Sequence, residues 1–405
     1  MTRVLVAPDK FKGSLDAAGV AAALARGIAA AAPDVEVACA PVADGGDGTL
    51  EVLANAGFVP VPVRVDGPTG VRLDSAYARR GDVAVVELAR LVGLQVLPGG
   101  ELAPLDASTV GLGQAIARAV EDGCRTVLVA LGGSAGTDGG AGMLQALGAQ
   151  VVDDGGAPVP RGARCLAGVR RADLAGASEL LDGVEVHALC DVDNPLLGPR
   201  GAAAVFGPQK GVASDDVARV DGWLARWADV VAASVGRDLR DVPGAGAAGG
   251  TAFALLALRA RVRSGAEAVL ELLGLPDAVR DADLVVVGEG SLDEQTLGGK
   301  APAAVAALAR SAGVPVVAVA GRATLTPAQV EAAGIAGVHQ LAELEPDPVR
   351  SHRHAAELLE RVGRRIGTER SVLRSVGGGT QSSVDAPGPA TAYRAAMVRT
   401  ASSTT

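Results

Sequence analysis

Short aliphatic runs alternate with alanine-rich stretches along most of this chain. Runs such as Val4–Ala7 and Thr126–Leu131 have the length and composition of buried strands, and stretches with helical spacing follow them. Such alternation favours parallel strands covered by helices, because each parallel connection needs a crossover. The sequence therefore predicts an α/β fold.

The alternating pattern occurs in two separate parts of the chain. Between them, Val59–Val86 contains proline, glycine and short alternating runs that are typical of β-hairpins. We therefore predict two different α/β domains: a Rossmann-like parallel-sheet domain, residues 1–60 plus 275–366, with a second α/β domain, residues 61–274, inserted into it. The serine- and threonine-rich end, residues 367–405, predicts a disordered tail.

The composition excludes several classes of protein. The 405 residues include 37 Lys and Arg against 46 Asp and Glu, and the net charge of −9 argues against a nucleic-acid partner. The longest apolar stretch, Ala17–Ala32, is interrupted by Arg26 and is shorter than a membrane span of roughly 20 residues. The four cysteines lie far apart, as in proteins with reduced thiols. We expect a cytoplasmic protein without a membrane partner, whose protein partners the sequence does not indicate.

Lysine is rare, and this makes its positions informative. Only four of the 37 basic residues are lysines, and all lie in glycine-containing strings: Lys10, Lys12, Lys210 and Lys300. Arginine replaces lysine easily on a solvated surface but poorly where a compact ammonium group contacts a ligand oxygen. Chance is the alternative explanation. The pattern favours contacts with an anionic ligand.

Carboxylates and glycines follow nearly every predicted strand. Ligands of open parallel sheets bind outside the carboxyl ends of the strands, and turns alone do not require so many charged residues there. Carboxylates without His or Cys nearby suit Mg²⁺. Asp191, Asp138 and Glu289 are our candidate metal ligands, and their spacing does not choose among them.

The loop of residues 132–142 contains six glycines among eleven residues. Backbone N–H groups converge on an anion where side chains do not block them, and the helix that follows would add its positive N-terminus. We therefore predict a phosphate cradle, and the alternative is a tight strand–helix turn. The residues predicted to bind phosphate are Gly132, Gly133, Ser134, Thr137, Gly139 and Gly140.

The sequence gives little support for a histidine-based hydrolase or for a dinucleotide-dependent enzyme. The chain has only four histidines, and none lies in the glycine–carboxylate loops, so a histidine-based triad or a zinc hydrolase is disfavoured. A general base would then be a carboxylate. The run of residues 244–249 fits GxGxxG but follows no clear strand, so it is a weak dinucleotide signal. Glycines, lysines and carboxylates together are typical of phosphoryl transfer.

The chain resembles the type-1 glycerate kinase family over about residues 3–365. The matching runs occur in order: residues 7–14 (APDKFKGS), 41–49 (PVADGGDGT), 132–142, 190–196 (CDVDNPL), 206–211 (FGPQKG), 244–250 and 288–302. The resemblance implies ATP-dependent phosphorylation of an organic acid, D-glycerate, in the cytosol with Mg²⁺, to 2-phosphoglycerate or 3-phosphoglycerate. It also implies a Rossmann-like domain that carries an inserted second domain.

On this resemblance we assign expected roles. Asp191 is the first candidate for general base or metal ligand and Asp44 the second, with Asn194 positioning that group. Lys12, Lys210 and Lys300 would neutralise phosphate or carboxylate charge. The residues expected to bind substrate are Asp9, Lys10 and Arg322.

Two positions depart from the family pattern. Ser291 stands where the family often has Arg, and Asp47 stands where Glu is frequent. The serine at position 291 leaves the substrate preference open. Two alternative functions also stay open: a NAD-dependent hydroxy-acid dehydrogenase that uses the GxGxxG run, and a non-catalytic sensor of glycerate or a similar metabolite.

Overall fold

The computed structural model describes residues 1–43, 48–297 and 300–369. The strands in chain order are β1 (Arg3–Pro8), β2 (Glu36–Cys39), β3 (Val59–Asp66), β4 (Arg72–Arg80), β5 (Val83–Glu87), β6 (Thr126–Ala130), β7 (Gln150–Val152), β8 (Arg171–Asp173), β9 (Glu185–Leu189), β10 (Arg261–Arg263), β11 (Leu284–Leu292), β12 (Val316–Ala323) and β13 (Gly337–Gln340). The helices in chain order are α1 (Ala17–Ala31), α2 (Thr49–Ala54), α3 (Ala89–Val92), α4 (Val110–Glu121), α5 (Ala141–Ala146), α6 (Ala175–Leu180), α7 (Ser214–Val235), α8 (Ala247–Ala257), α9 (Gly265–Leu272), α10 (Leu275–Arg280), α11 (Glu294–Leu297), α12 (Ala301–Ser311), α13 (Pro327–Ala332), α14 (Pro348–Arg353) and α15 (Ala355–Thr368).

The described residues form two compact units. The first contains residues 1–43, 55–57 and 269–369, and the second contains residues 48–54 and 58–268. Each unit has its own sheet and its own hydrophobic core. The predicted α/β class is thereby confirmed, whereas the predicted boundaries of the folding domains stay a prediction.

The sheet of the first unit is entirely parallel, with the strand order β13-β12-β11-β1-β2. Counted along the chain within this unit, the order is 2-1-3-4-5, the doubly wound arrangement also found in flavodoxin-like sheets. The direction of winding reverses between β1 and β11. A crevice for ligands forms at such a switch point, because the loops after the two strands turn to opposite faces of the sheet.

The strands of the first unit are buried on both faces. Val4 and Val6 pack with α1 and α15 on one face, and Leu5 between them is buried too. Helix α12 packs against β11 and β1. Burial on both faces explains the nearly continuous aliphatic runs in the sequence, since an alternating pattern suits a strand with one wet face.

Helices α1 and α15 approach each other at two glycines. A Cβ added to Gly27 would lie 2.1 Å from the carbonyl oxygen of Glu360, and one added to Gly363 would lie 2.3 Å from that of Leu24. Neither position has space for a methyl group. The helices that begin and end the first unit therefore depend on the absence of side chains at this contact.

The sheet of the second unit is mixed, with the order β10-β9-β6-β5-β4-β3. Strands β3, β4 and β5 pair antiparallel, which confirms the predicted hairpins, and β5, β6, β9 and β10 are parallel. The parallel strands follow one another in chain order. This part of the sheet therefore has no switch point, and its ligand sites must be judged from the loops themselves.

Two of the aromatic side chains in the core of the second unit carry a polar atom. Tyr77 and Trp227 are completely buried. The Tyr77 hydroxyl donates to Oδ2 of Asp122 at 2.6 Å, and the Trp227 indole N–H donates to the carbonyl of Gly139 at 2.9 Å. The polar atoms of these two side chains thus both have a hydrogen-bond partner, which offsets the cost of burying them. Trp227 also links α7 to the glycine-rich loop after β6.

The structure departs from the sequence-based prediction at several short elements. Strands β7, β8, β10 and β13 are each only three or four residues long, and the aliphatic runs of the sequence do not indicate them. Helix α15 continues to Thr368, into the predicted tail, and residues 370–405 of that tail lie outside the described residues. Among the described residues, no helix has both the length and the apolar character needed to cross a membrane.

We expect Gly27→Ala to destabilise the chain by about 1–3 kcal/mol or more, because the added methyl group overpacks the contact between α1 and α15. Gly222→Ala is the matched control, since Gly222 lies within α7 and a Cβ there meets nothing within 4 Å. The control should stabilise by about 0.5–1 kcal/mol through helix propensity. Urea unfolding of both variants measures the difference. Equal effects of the same sign would contradict the packing argument.

Candidate active site

In the first unit, the loop after β1 lies beside the glycine-containing carboxyl end of β11 at the switch point. The N–H of Asp9, directly after β1, donates to the carbonyl of Gly288 on β11 at 2.8 Å. A Cβ added to Gly290 would lie 3.5 Å from the backbone nitrogen of Lys12, which is ordinary van der Waals contact. The structure therefore brings the predicted residues after β1 next to those near the carboxyl end of β11.

Glu289 is the buried carboxylate of this edge, with 5% of its surface exposed. The Thr296 hydroxyl donates to one of its oxygens. The Nζ atom of Lys300 lies 3.8 Å from the other oxygen, and the Lys300 side chain is about one-third exposed. A carboxylate removed from water needs such partners. Lys300 thus lies where it can contact both Glu289 and a ligand in solution.

Further cations lie at the same edge of the sheet. Lys10 follows Asp9, whose carboxylate accepts the Lys10 backbone N–H at 2.6 Å. Arg322 is exposed and pairs in register with Ser291. Lys12 is exposed as well. The predicted substrate-binding residues therefore share one edge with Glu289 and Lys300, and their individual roles stay predictions.

In the second unit, the glycine-rich loop after β6 packs directly against the GxGxxG run. The N–H of Gly139 donates to the carbonyl of Gly249 at 3.0 Å, and a Cβ added to Gly249 would lie 2.3 Å from the carbonyl oxygen of Gly136. Gly139 and Gly140 have φ of +62° and +73°, in the region that favours glycine. These glycines are needed for backbone-to-backbone packing, which the tight-turn alternative also requires.

The accessible part of this loop is short. Gly132 is half-buried and Gly133 is exposed, whereas Ser134 and Thr137 are 6% and 0% exposed. The Thr137 hydroxyl oxygen is buried without a hydrogen-bond partner among the residues that the structure describes. A phosphate could reach Gly132 and Gly133 directly. Contact with Ser134 or Thr137 would need the loop to open, so the cradle stays a prediction.

Lys210 lies inside the second unit with 1% of its surface exposed. Its ammonium nitrogen donates to Oγ of Ser134 at 2.7 Å and to the carbonyl of Gly136 at 2.6 Å. Burial lowers the pKa of Lys210 from 10.5 to about 7, and the nearby carboxylate of Asp138 opposes that shift. Lys210 therefore holds the glycine-rich loop in place through these two hydrogen bonds in the interior of the unit.

The carboxylate of Asp138 is buried and surrounded by donors. It accepts the N–H groups of Thr109 at 2.8 Å, Gly140 at 3.1 Å and Gly142 at 3.3 Å, as well as the hydroxyls of Ser108 and Thr109. A metal ion would have to displace some of these donors. The arrangement explains how Asp138 holds the start of α4 against the glycine-rich loop, and its role as a metal ligand stays a prediction.

Asp191 lies just after β9 and is exposed. Its carboxylate accepts Oγ–H of Ser264 at 2.7 Å and the N–H groups of Gly265 at 3.0 Å and Ala266 at 3.4 Å, at the N-terminus of α9. Asn194 donates through Nδ2 to the carbonyl of Arg200 at 2.8 Å. Asp191 is therefore oriented by backbone donors while it remains open to solvent.

Two further carboxylates concern the site: Asp44, which was predicted, and Glu87, which was not. Asp44 lies outside the described residues. Glu87, at the carboxyl end of β5, is 1% exposed and accepts the N–H groups of Gly48 and Leu50 at 3.2 Å each. Glu87 directly follows the predicted hairpin region, residues 59–86, and was not among the predicted site residues. Within the described ranges, no cluster of three or more His, Cys, Asp or Glu could hold a metal ion.

Comparison with known proteins shows similarity over nearly the whole described chain. The model of the glycerate kinase family matches residues 4–370. The glycerate kinase of Bacillus subtilis (strain 168) is 38% identical over 379 residues, covering 92% of this chain and 99% of the relative. The glycerate 2-kinase of Escherichia coli K12 is 36% identical over 326 residues, covering 80% and 86%. A crystal structure assigned as glycerate kinase 2 from Salmonella typhimurium LT2 has a TM-score of 0.80 and 35% identity, covering 92% of this chain and 99% of that chain.

We expect the free energy of unfolding to rise with pH above about pH 7 because of Lys210. Since its folded-state pKa is about 7 and its ordinary value is 10.5, the unfolded chain binds more protons between these values. Lys210→Met removes this contribution, so the variant should lose about 1.4 kcal/mol per pH unit of the wild-type slope between pH 7 and pH 10. Urea unfolding at several pH values measures the slope.

The control for this experiment is Lys12→Met, which removes a lysine from an exposed position. We expect this variant to keep the wild-type slope. If Lys210→Met also kept it, the ammonium group would not be confined in the folded chain as the structure has it.

Proposed function

Because this chain belongs to the glycerate kinase family, we propose that it transfers the γ-phosphoryl group of ATP to a hydroxyl of D-glycerate. Family membership makes it a phosphotransferase, and 2-phosphoglycerate is the product that we favour over 3-phosphoglycerate. The single observation that best supports the proposal is the cationic edge at the switch point of the first unit. Lys12 and Arg322 are exposed there, and Lys300 stands beside buried Glu289. A cytoplasmic location remains a prediction.

Phosphoryl transfer depends on positioning and on neutralising the charge that builds up on phosphate oxygens. Lys10, Lys12 and Lys300 all have exposed surface that such oxygens can reach directly. Lys210 is enclosed by Ser134 and Gly136, so in this conformation it supports the loop and does not present its charge to solvent. We therefore assign the direct anion contacts to Lys12 and Lys300, with Lys10 and Arg322 beside them for the glycerate carboxylate.

Mg²⁺ is the cofactor that we expect with ATP. It commonly takes one or two protein carboxylates together with phosphate oxygens and water. Glu289 is the candidate that we prefer, because it lies at the cationic edge near Lys300, whereas the carboxylate of Asp138 is surrounded by hydrogen-bond donors. Bound Mg²⁺ would neutralise charge on the phosphates. The part of the described chain that holds Glu289 would then combine a metal carboxylate with two lysines.

The proton of the reacting hydroxyl needs an acceptor, and Asp191 is our first candidate. Its carboxylate is held in place by Ser264 and the first N–H groups of α9, and it remains exposed. A carboxylate is the kind of side chain that can accept this proton, provided that it lies within hydrogen-bond reach of the hydroxyl. Asn194, held by the Arg200 carbonyl, would fix the segment that follows Asp191. Asp44 remains the second candidate.

The two alternative functions differ from this proposal in testable ways. The GxGxxG run, residues 244–249, follows no strand and extends into the start of α8, and its Gly249 packs against the loop after β6, so nothing here favours a nicotinamide cofactor. A non-catalytic sensor would bind glycerate without consuming ATP. It would need no oriented carboxylate such as Asp191.

The test is ³¹P and ¹³C NMR of the purified chain with ATP, Mg²⁺ and D-glycerate, with L-glycerate and no acceptor as controls. We expect a phosphomonoester that depends on D-glycerate, and carbon–phosphorus coupling identifies the hydroxyl that carries the phosphate. Folded protein that binds ATP but yields no phosphomonoester with either isomer would contradict the assignment. It would direct attention to Ser291 and other hydroxy acids.

We expect Asp191→Asn to lower kcat by about 10²–10⁴-fold, the usual contribution of a general base. The asparagine carbonyl can still accept from Ser264 and Gly265, so the anchor of α9 is largely kept. Asp173→Asn is the matched control, because Asp173 is also exposed and also accepts an N–H at a helix start, that of Ala175 at 2.9 Å. Its kcat should stay within about twofold. Steady-state kinetics that show a small effect for both variants would remove Asp191 from the reaction.

A further inference from the structure

Arg263 is a half-buried arginine to which the proposed mechanism gives no role. It is the last residue of β10, lies in register with Leu189 of β9, and its carbonyl accepts the N–H of Cys190 at 3.0 Å. Because β9 and β10 are parallel, their carboxyl ends lie at the same edge of the sheet. Ligands of parallel sheets bind outside such an edge. Arg263 therefore lies where a cation can contact a ligand.

The backbone of Arg263 is held next to Asp191, our first candidate for the general base. Directly after Arg263, the Ser264 hydroxyl and the Gly265 N–H both donate to Oδ1 of Asp191, at 2.7 Å and 3.0 Å. Together with the bond from Cys190, these contacts hold the end of β10 against the end of β9. Neighbouring strands lie about 4.8 Å apart, a distance that the long side chain of arginine can span. The guanidinium group can therefore reach a molecule that is bound at Asp191.

The direction of the Arg263 side chain follows from its neighbours in β10. Val262 packs against the hydrophobic core of the second unit. Successive side chains of a strand point to opposite faces, so Arg261 and Arg263 share the other face of the sheet. On that face Arg261 forms an ion pair with Glu185 of β9 at 2.9 Å. Arg263 lies one step further along, toward the end of β9 that Asp191 follows.

The acceptor proposed above carries its anionic group beside a hydroxyl. In glycerate, the carboxylate carbon is bonded directly to the carbon that bears the α-hydroxyl. A base that accepts the proton of this hydroxyl must lie within hydrogen-bond reach of it, so a cation that holds the carboxylate must lie close to the base as well. A guanidinium group suits this task, because its planar fork of N–H donors matches both oxygens of a carboxylate. Arg263 supplies such a group beside Asp191.

We propose that Arg263 is a specificity-determining residue, which binds the carboxylate of an α-hydroxy acid and so presents the α-hydroxyl to Asp191. The proposal rests on the function proposed above and deepens it, because it gives a reason for 2-phosphoglycerate as the product. Lys10 and Arg322 remain further candidates for contacts with this carboxylate, and the test of Arg263 does not depend on them.

The first arm of the test compares two acceptors, D-glycerate and D-glyceramide, which has a neutral amide in place of the carboxylate. We expect Arg263→Gln to lower kcat/KM for D-glycerate by about 10–150-fold, the usual value of a hydrogen bond to a charged group, chiefly through KM. The value for D-glyceramide should change by less than about threefold, because no charge contact is lost with it. KM for ATP should stay at the wild-type value.

Arg261→Gln is the matched control. Arg261 is an exposed arginine of the same strand and the same face, and its ion pair with Glu185 is exposed as well. Surface ion pairs contribute little, so this variant should keep the wild-type kcat/KM for both acceptors to within about twofold. Arg263→Lys is the second variant, for use if Arg263→Gln folds poorly. It keeps the charge without the planar fork, so its loss with D-glycerate should be smaller but equally specific for that acceptor.

The second arm identifies the product by carbon–phosphorus coupling in ¹³C NMR. In the wild-type chain the phosphate should lie on the α-hydroxyl. Arg263→Gln no longer holds the carboxylate, so the terminal hydroxyl can also approach the base, and the share of 3-phosphoglycerate should rise. Arg261→Gln should give the wild-type product. A residue that only stabilises the fold would lower the yield of both products without changing their ratio.

Three results would overturn the proposal. Equal losses with D-glycerate and D-glyceramide would assign Arg263 to the support of Asp191 or of the fold. A raised KM for ATP with KM for D-glycerate unchanged would assign it to a phosphate. An unchanged kcat/KM with D-glycerate would remove it from the site. A wild-type chain that forms no phosphomonoester would contradict the proposed function, and calorimetric titration of wild type and Arg263→Gln with D-glycerate would then decide whether Arg263 holds the carboxylate.

Discussion

The second unit is organised by the contact between its two glycine-rich segments. Gly139 and Gly249 join by a backbone hydrogen bond, and Gly136 approaches Gly249 so closely that no side chain fits between them. The interior ends of Lys210 and Trp227 bind carbonyl groups of the same loop. Close backbone packing of this kind leaves little freedom for the residues around it, because interiors are dense and deform poorly. The loop after β6 is consequently a fixed element of the second unit.

Two buried ionisable groups of opposite sign support this unit, and both have a pKa near neutrality. Burial disfavours the charged form of each, lowering the pKa of Lys210 and raising that of Glu87 to about 7. Each group satisfies two backbone or side-chain partners that no apolar residue could serve. Both fasten segments next to predicted catalytic residues. These two buried charged groups therefore hold loop segments in place by hydrogen bonds, although burying a charge lowers the free energy of unfolding.

The sequence predicted the strands with a clear hydrophobic pattern. It did not predict features that depend on the three-dimensional surroundings of a residue, such as the burial of a charged side chain. The buried strands β1 and β6 coincide with the aliphatic runs Val4–Ala7 and Thr126–Leu131 to within one residue at each end, since strands buried on both faces need such runs. Strand β13 was missed because its four residues are only half-buried at a sheet edge and carry no distinctive pattern. The burial of Lys210 could not be predicted, because lysine is seldom buried and the enclosing Ser134 is 76 residues away in sequence. Glu87, in contrast, obeys the strand-end rule and was within reach of the sequence.

The first unit is assembled from the two ends of the described chain. Its central pair of strands, β1 and β11, joins residues such as Arg3 and Asp283 that are 280 positions apart. During synthesis the ribosome releases β1 long before its partner exists, while residues 58–268 of the second unit emerge as one continuous stretch. Local assembly is faster than closure of so long a loop. The inserted unit can therefore fold first on the ribosome. Until β11 is synthesised, in the last third of the chain, the aliphatic strand β1 has no partner strand, and its hydrophobic side chains stay exposed to aggregation.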